Sequence, residues 1–374
     1  MSKSAKHSFP PLPLRSPVII ICIICNYIRS VAAPQTFVSC SRLLSLPPEI
    51  YNLNIRVMFL LMFISSFFTF VELNCENLFD CTHDSLKNDT EFLPDGSYRW
   101  TRTRYWRKLN HIGQALLACG DGRDGWQLPD MVALCEVEND TVMRDLTRRS
   151  LLRKARYEYV MTDSPDERGI DVALMYSPFS FALINHRSVR PSPLDGMRPT
   201  RDLLYACGLV SGGDTLHVIV THMPSRRSGE RITDRYREHV ARYVVALADS
   251  IRRVSPEALI IVAGDFNEYS GKGCIATICD SGFTDVSDGA VGRNGAKATY
   301  RYRGGWGSLD HVLASRSLAR RFADSRVEDS PFLIEDDERY GGVKPRRNYL
   351  GPRWLDGFSD HLPLVVRFDW NLLR

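Results

Sequence analysis

The segment "LIIVAGDFNEYS" (259–270) places an acid and an amide directly after five apolar residues. In a strand, residues i and i+2 point to the same side. We therefore expect Asp265 and Asn267 to face one cavity while Phe266 lies in the core behind them. A carboxylate beside a carboxamide suits a hard metal ion, a phosphate or an attacking water. Asp, Asn and Gly are also common where strands simply turn, so this pair alone does not decide between the two interpretations.

Similar polar groups stand at the ends of two earlier apolar runs. The segment "ELNCENLF" carries Asn74 and Glu76 two residues apart, and a polar strand end that leads into a loop explains this pair equally well. In "ALCEVEND", Glu136 lies inside an apolar run. A lone acid at a buried strand position is costly unless it is paired or metal-bound, which favours a ligand over a surface acid.

A histidine follows the next strand-like run. In "LHVIVTHMPSRRSGE", His222 ends the run and precedes Arg226 and Arg227. A single histidine is more often structural, but beside two arginines it becomes a candidate phosphate contact or general acid.

Two Asp-His pairs complete the series. "WGSLDHVLAS" places Asp310 at the start of a strand, and "GFSDHLPLVV" places Asp360 and His361 just before the last strand. A Ser-Asp near the end of a chain can be a turn, but the repeated pairing argues against it. Strand ends are where sheets gather active sites, and the polar groups form an ordered set there: Asn74, Glu76, Glu136, His222, Asp265, Asn267, Asp310, Asp360 and His361.

The elements that position these groups follow from hydrophobic periodicity. Strands are predicted at 68–75, 131–137, 157–162, 171–176, 203–210, 216–222, 259–266, 300–304, 309–315 and 362–368. Helices are predicted at 103–119, 139–151 and 232–254. Many strands with few helices indicate one domain of two packed sheets flanked by helices.

The first 57 residues differ from the rest. They carry six Lys/Arg and one acid, so the remainder, with 42 basic and 43 acidic side chains, has a net charge of −1. Global charge therefore gives no argument for nucleic acid. Residues 1–57 are Pro-rich, then apolar, and we expect them to be disordered or signal-like. A translation start at Met58 would place them outside the true protein, and we expect the domain to span 58–374. A second apolar run, Val57–Val71, is either a signal segment starting at Met58 or the first core strand.

The chain resembles the endonuclease/exonuclease/phosphatase superfamily, and its bacterial members in particular. The matching segments occur in family order over about residues 70–369: "LNCENLF", "ALCEVEN", "RGIDVALMY", "VTHMPSRRSGE", "VAGDFNEYS", "WGSLDHVL" and "FSDHLPLV". The combination of "GDFN" with a later "SDH" is specific. The resemblance implies an α/β (α+β) fold, a four-layered α/β/β/α sandwich like that of deoxyribonuclease I.

The resemblance also implies phosphoester hydrolysis with Mg2+ or Mn2+. If the residue roles of the family apply at the matching positions, Glu136 is the principal metal ligand, with Asn74, Glu76 and Asp360 near the ion. Asp265 orients or deprotonates the attacking water, and Asn267 holds a phosphate oxygen or Asp265. His361 contacts the phosphate with its ring fixed by Asp310, and His222 contacts the phosphate or assists the leaving group. The expected substrate contacts are Arg168, Arg226 and Arg227.

Substrate choice stays open on the sequence. A nuclease acting on nucleic acid is the first hypothesis. A phosphatase or a lipid phosphodiesterase of the same fold is the second, and a non-catalytic phosphate-binding module is the third. The two arginines after His222, and a second pair at Arg346 and Arg347, line a substrate groove or a solvated loop equally well. A monomer without an obligate protein partner is expected, secreted or periplasmic if the leading segment is a signal and cytoplasmic otherwise.

Overall fold

The structure is a computed structural model that describes residues 67–122, 125–226 and 229–370. Two main sheets contain twelve of its strands. In chain order these are β1 (Phe67–Leu78), β2 (Met131–Val137), β3 (Glu158–Met161), β4 (Asp171–Tyr176), β5 (Phe181–Val189), β6 (Leu203–Val210), β7 (Thr215–His222), β8 (Leu259–Asp265), β9 (Phe283–Asp285), β10 (Asp310–Ser315), β11 (Phe322–Val327) and β12 (Leu364–Asp369). The longer helices are α1 (Arg102–Ala118), α2 (Asp140–Arg148), α3 (Glu230–Val254) and α4 (Gly273–Asp280).

Both sheets are mixed. The first has the strand order β11-β12-β1-β2-β4-β3, and the second has the order β9-β10-β8-β7-β6-β5. The central neighbours β1 and β2 are parallel, as are β7 and β8, and the other neighbours are antiparallel. Parallel strands end at the same edge of a sheet, so the residues that close these two pairs lie side by side.

Alternation along the strands builds three apolar layers. In β1, Phe68 and Phe70 face the second sheet, whereas Val71 and Leu73 pack with α1 and α2. The second sheet packs its outer face against α3 and α4. Helices thus cover both outer faces of two sheets, which confirms the predicted four-layered sandwich. Among the described helices, none has the length and apolar character needed to cross a lipid bilayer.

The predicted strands are confirmed within a few residues at their ends, but four of the elements named above escaped the pattern. Strands β5 and β11 lie at sheet edges and lack apolar alternation: β5 reads "FALINHRSV", with four consecutive apolar residues and then a polar stretch, and β11 reads "FADSRV". Strand β9 has only three residues. Helix α4 is only eight residues long and follows the polar turn after β8. The predicted strand at 300–304 is one arm of a small hairpin, Tyr300–Tyr302 with Gly305–Gly307.

The proposed N-terminal segment, residues 1–57, lies outside the described residues. The end of the second apolar run is described, because Phe67–Val71 forms the first part of β1 and is largely buried.

One glycine allows the close approach of β7 and β8 at the candidate site. Gly264 has φ +142°, and a Cβ there would lie 1.8 Å from the carbonyl oxygen of Thr221. The register places Gly264 opposite Thr221 and, one residue on, Asp265 opposite His222. A side chain at this glycine would force the two strands apart where the polar residues meet.

We expect Gly264→Ala to lower the free energy of unfolding by about 3 kcal/mol or more, through strain and overpacking. Urea denaturation followed by circular dichroism measures this. Gly305→Ala is the matched control, because its Cβ would meet only the Tyr302 carbonyl oxygen at 3.4 Å. Equal stability of the two variants would show that the strand contact is not constrained as described.

Candidate active site

The residues singled out in the sequence converge at one edge of the sandwich. In the second sheet, Asp265 pairs with His222 on one side and Asp310 on the other. The first sheet brings Asn74, whose Nδ2 donates to Asp265 Oδ2 at 3.0 Å, and His361, which hydrogen-bonds to Asp310. The site is therefore formed between the two sheets.

Strained bulges turn several of these side chains toward the site. Glu76, Glu136 and Asn267 all have φ between +49° and +60°, a conformation that side-chain-bearing residues adopt rarely and at a cost of about 1–3 kcal/mol each. The pairing of β1 with β2 shifts register after Asn74, and that of β2 with β4 shifts after Cys135. Such irregularities beside a polar cluster are typical of functional sites.

The predicted contact between His361 and Asp310 is present. His361 Nδ1 lies 2.8 Å from one Asp310 oxygen and 3.0 Å from the other, and the hydroxyl of Thr299 also donates to Asp310. Burial disfavours the charged imidazole, but the carboxylate of Asp310, with Asp360 and Asp265, outweighs it and holds the pKa of His361 well above its usual range. His361 is therefore a buried cation at this edge.

Asp265 is held from several directions. The backbone N–H of Asn267 donates to its Oδ1 at 2.8 Å, and His222 Nε2 lies 3.6 Å from its Oδ2. The side-chain amide of Asn267 donates to the carbonyl of Met223 at 3.2 Å, so it anchors the chain after His222. Burial raises the pKa of Asp265 to about 7, against the lowering effect of His361. A carboxylate fixed in position with a pKa near neutrality is suited to general-base work.

Glu72 is a fully buried acid that the sequence interpretation missed. It lies on the Asn74 side of β1, and neither of its carboxylate oxygens has a hydrogen-bond partner among the described residues. Burial, with the nearby charges of Asp310 and Asp265, raises its pKa well above the usual range. An acid inside the apolar run "FTFVELNC" was a visible signal, of the same kind that drew attention to Glu136.

The four predicted metal ligands fall into two groups. Glu136 keeps one oxygen toward the site, 3.9 Å from His222 Nε2, while its other oxygen accepts from the N–H of Asn77 at 2.9 Å. Asp360 accepts from Arg347 at 3.0 Å. Asn74 uses its amide oxygen to accept from the N–H of Glu76 at 2.9 Å. Glu136 and Asp360 thus offer oxygen to a cation most directly.

Glu76 is engaged by its surroundings. Its Oε2 accepts from the N–H of Asn348 at 2.6 Å, and its Oε1 accepts from that of Tyr349 at 3.2 Å and from Arg347 at 3.5 Å. The Lys108 ammonium lies 4.0 Å away and is fully buried. Glu76 therefore fixes the 346–349 loop against the site, and its role as a metal ligand stays a prediction. Lys108 was missed because nothing in a helical sequence pattern distinguishes a buried lysine.

Two arginines place positive charge beside His222. Asp166 lies 3.2 Å from Arg201 and 3.7 Å from Arg168, and Arg201 also donates to the carbonyl of Met223 at 2.6 Å. Burial, followed by the charges of Arg201 and Arg168, lowers the pKa of His222 well below its usual range, so His222 is neutral. Arg168 was predicted from its motif, whereas the buried Arg201 was not.

The other two predicted arginines lie on the loop after β7. The guanidinium carbon of Arg226 lies 4.9 Å from the centre of the Tyr269 ring. Arg227 lies outside the described residues.

We expect His361→Ala to cost on the order of 10²-fold or more in rate, as loss of an electrostatic stabiliser commonly does. Asp310→Ala should cost somewhat less. Because the two side chains act as one unit, the double variant should fall well short of the product of the single losses. Steady-state kinetics of the full double-mutant cycle measures this. Single losses that multiply independently would contradict a functional pairing.

Comparison with known proteins identifies the family and the fold of this chain. The sequence profile of the Endonuclease/Exonuclease/phosphatase family matches residues 69–369. No curated protein matches the chain in sequence. Among solved structures, a protein of this family from Bacteroides thetaiotaomicron has 16% identity and a TM-score of 0.55, over 82% of this chain and 98% of that one.

Two further structures share the fold. The mannosyl-6-phosphatase Bt3783 of Bacteroides thetaiotaomicron is 17% identical, with a TM-score of 0.52 over 80% of this chain and 98% of that one. A humanized TDP2 from D. rerio is 16% identical, with a TM-score of 0.50 over 81% and 99%. At such identities the likeness concerns the fold alone, but the profile match covers most of the chain. This chain belongs to the endonuclease/exonuclease/phosphatase family.

Proposed function

We propose that this protein hydrolyses phosphodiester bonds in nucleic acid, as an endonuclease, with Mg2+ or Mn2+ as its cofactor. The proposal rests on one observation: a buried base and a buried cation lie together at one edge of the sandwich. Asp265, with a pKa near 7, is suited to take a proton, and His361, held as a cation by Asp310, is suited to bind an anionic oxygen. Phosphoester hydrolysis needs both groups at once.

The chemistry follows from these two positions. Asp265 accepts a proton from a water molecule as the water oxygen attacks phosphorus. The bond from phosphorus to the leaving oxygen breaks, and the leaving oxygen takes a proton from solvent water. His361 stabilises the charge that gathers on a non-bridging oxygen. Asn74 and the N–H of Asn267 hold Asp265 in orientation by donating to its two oxygens. His222 is neutral, so we assign it a positioning contact to the phosphate in preference to a proton donor.

The residues present fit a divalent cation. Glu136 has one oxygen without a hydrogen-bond donor among the described residues, and its side chain keeps 14% exposure toward the cleft. Oxygen donors without a cysteine cluster suit Mg2+ or Mn2+. Glu136, with Asp360 and Asn74, would hold the ion, which would supply positive charge to the phosphate. The side-chain atoms of Asp265, Asp310 and His361 also converge within 4.8 Å, but we assign them to the base and the Asp–His pair.

A ridge of aromatic and cationic side chains next to the site supports nucleic acid as the substrate. The hairpin that begins at Tyr300 is bridged to His361 by its backbone. At its tip, Arg303 lies 5.2 Å from the ring of Tyr302, which is 59% exposed. A second hairpin, which contains Tyr340, contacts the first hairpin. A Cβ added at Gly304 would lie 2.8 Å from Cβ of Tyr340. Exposed rings beside arginines suit stacked bases and a phosphate backbone.

A substrate panel tests the proposal. We expect nicking of plasmid DNA with Mg2+ or Mn2+ and none with EDTA, and weaker turnover of mannose 6-phosphate, inositol phosphates and sphingomyelin. RNA and abasic DNA complete the panel, and His361→Ala serves as the inactive control for contaminating nucleases. Faster hydrolysis of a phosphomonoester or of sphingomyelin would replace the nuclease proposal with the phosphatase or lipid alternative. No hydrolysis of any substrate, with retained phosphate binding, would leave the non-catalytic module.

Metal binding is tested apart from activity. Glu136→Gln should keep the fold and weaken Mg2+ binding about tenfold or more, because a charged oxygen ligand is lost. Isothermal titration calorimetry measures the affinity, and Glu257→Gln is the matched control, because Glu257 is an exposed acid before β8, at the opposite end of that strand from Asp265. Unchanged Mg2+ affinity in Glu136→Gln would remove Glu136 from the ligand set.

A further inference from the structure

A second polar surface lies at the end of the first sheet opposite the candidate active site. The strand registers place Phe70, Met131, Tyr176 and Glu158 in one row across β1, β2, β4 and β3. Glu136 is five residues further along β2, so this row is about 15 Å from the catalytic edge at strand spacing. What binds at this end does not bind at the catalytic residues.

Four basic side chains line an open cleft at this end, which we call the basic patch: Arg148, Arg153, Lys154 and Arg156. The cleft has a volume of about 560 Å³. Arg148 is fixed by the carbonyl of Tyr157 at 2.8 Å and by Glu158 at 2.5 Å, which balances its charge. The other three are exposed, and no hydrogen bond or ion pair joins Lys154 or Arg156 to another described residue.

The local sequence contains no acid that would neutralise the basic patch. From Thr147 to Tyr157 the chain contains five basic residues and no acid. The fifth, Arg149, is paired with Asp145 at 3.0 Å. Three unbalanced cations therefore remain within four residues of one another.

Exposed apolar side chains surround the patch. Leu151, between the basic residues, is 46% exposed, and Trp126, just before β2, is 57% exposed. Both side chains contact α1. The indole N–H of Trp126 donates to the carbonyl of Leu117, and Leu151 packs against Gly113. Gly113 and Leu117 are about one helical turn apart. Phe179, in the turn after β4, is 43% exposed at the same end. Cations mixed with exposed Trp, Leu and Phe are typical of a surface that meets a lipid headgroup layer.

The chain also enters the domain at this end. Phe67, the first residue of β1, lies three residues before the row defined above, on the side away from the catalytic edge. The residues joined to it, 57–66, read "VMFLLMFISS" and contain no charge. An apolar segment is thus attached to the domain at the end that carries the basic patch.

We propose that the basic patch, with Leu151, Trp126 and Phe179, docks this domain on an anionic lipid bilayer, with the catalytic edge facing away from the membrane. The cations match lipid phosphates, the apolar side chains match the headgroup layer, and the entry point of an apolar segment lies on the same side. Nucleic acid would explain the cations, and its bases could stack on Trp126 and Phe179, but it would not explain the exposed aliphatic Leu151 or the uncharged segment 57–66 that joins the domain at the same end. The docking surface is independent of which phosphoester the active site hydrolyses.

Vesicle co-sedimentation of the full chain tests this. The neutralised variant Arg153→Gln/Lys154→Gln/Arg156→Gln is compared with the unmodified chain on vesicles of about three parts phosphatidylcholine to one part phosphatidylserine. We expect binding to weaken on the order of 10²-fold, since each basic residue near an anionic surface contributes. Binding of the unmodified chain should also fall as salt rises, and binding to pure phosphatidylcholine should not distinguish the two proteins.

The matched control is Arg235→Gln/Arg242→Gln/Arg253→Gln on α3. It also neutralises three exposed arginines, but they lie on the other face of the sandwich. Thermal melting confirms that both triple variants fold. Equal vesicle binding by the two triple variants would overturn the proposal. The proposal would also be overturned if the patch variant lost binding only to DNA, measured with a labelled duplex in EDTA. That result would assign the patch to nucleic acid. Because activity is not measured, failure here leaves the proposed phosphodiesterase function untouched.

Discussion

Ionisable groups buried between two β-sheets are the constraint that organises this molecule. His361 precedes a strand of the first sheet and Asp310 begins a strand of the second, so their hydrogen bond joins the sheets. The bond from Asn74 to Asp265 joins them again. A buried charge is costly unless it is paired. The two sheets are therefore held in the one alignment that provides each charge with its partner.

The same alignment explains why strain is concentrated at this edge. Glu76, Glu136 and Asn267 hold left-handed backbone conformations that the neighbouring hydrogen bonds enforce. The N–H of Asn267 donates to Asp265 in this conformation of the turn, and Glu76 is fixed by the N–H groups of Asn348 and Tyr349. Rigid surroundings stabilise these strained residues, and the strained residues in turn aim carboxylates into the cleft.

Much of this arrangement could be predicted from the sequence, because buried central strands have continuous apolar runs and polar ends. Such ends drew attention to His361 and Asp310, and the resemblance to the family implied that the two residues pair. Edge strands β5 and β11 escaped prediction because neither "FALINHRSV" nor "FADSRV" alternates apolar and polar residues. Lys108, Arg201 and Thr299 escaped for another reason. Their importance comes from contacts with distant residues, and no local pattern distinguishes a buried lysine or arginine from a surface one.

The position of the last strand has a consequence for synthesis of the chain. β12 lies between β1 and β11, so Phe67 near the start of the domain pairs with Asp369 near its end. A nascent chain can form the second sheet early, from β5 to β10, but its first sheet stays divided until β12 has been synthesised. Such non-local pairing forms slowly, and unpaired strand edges favour aggregation. His361 joins the site in the same late step, so the chain completes its fold and its candidate active site together.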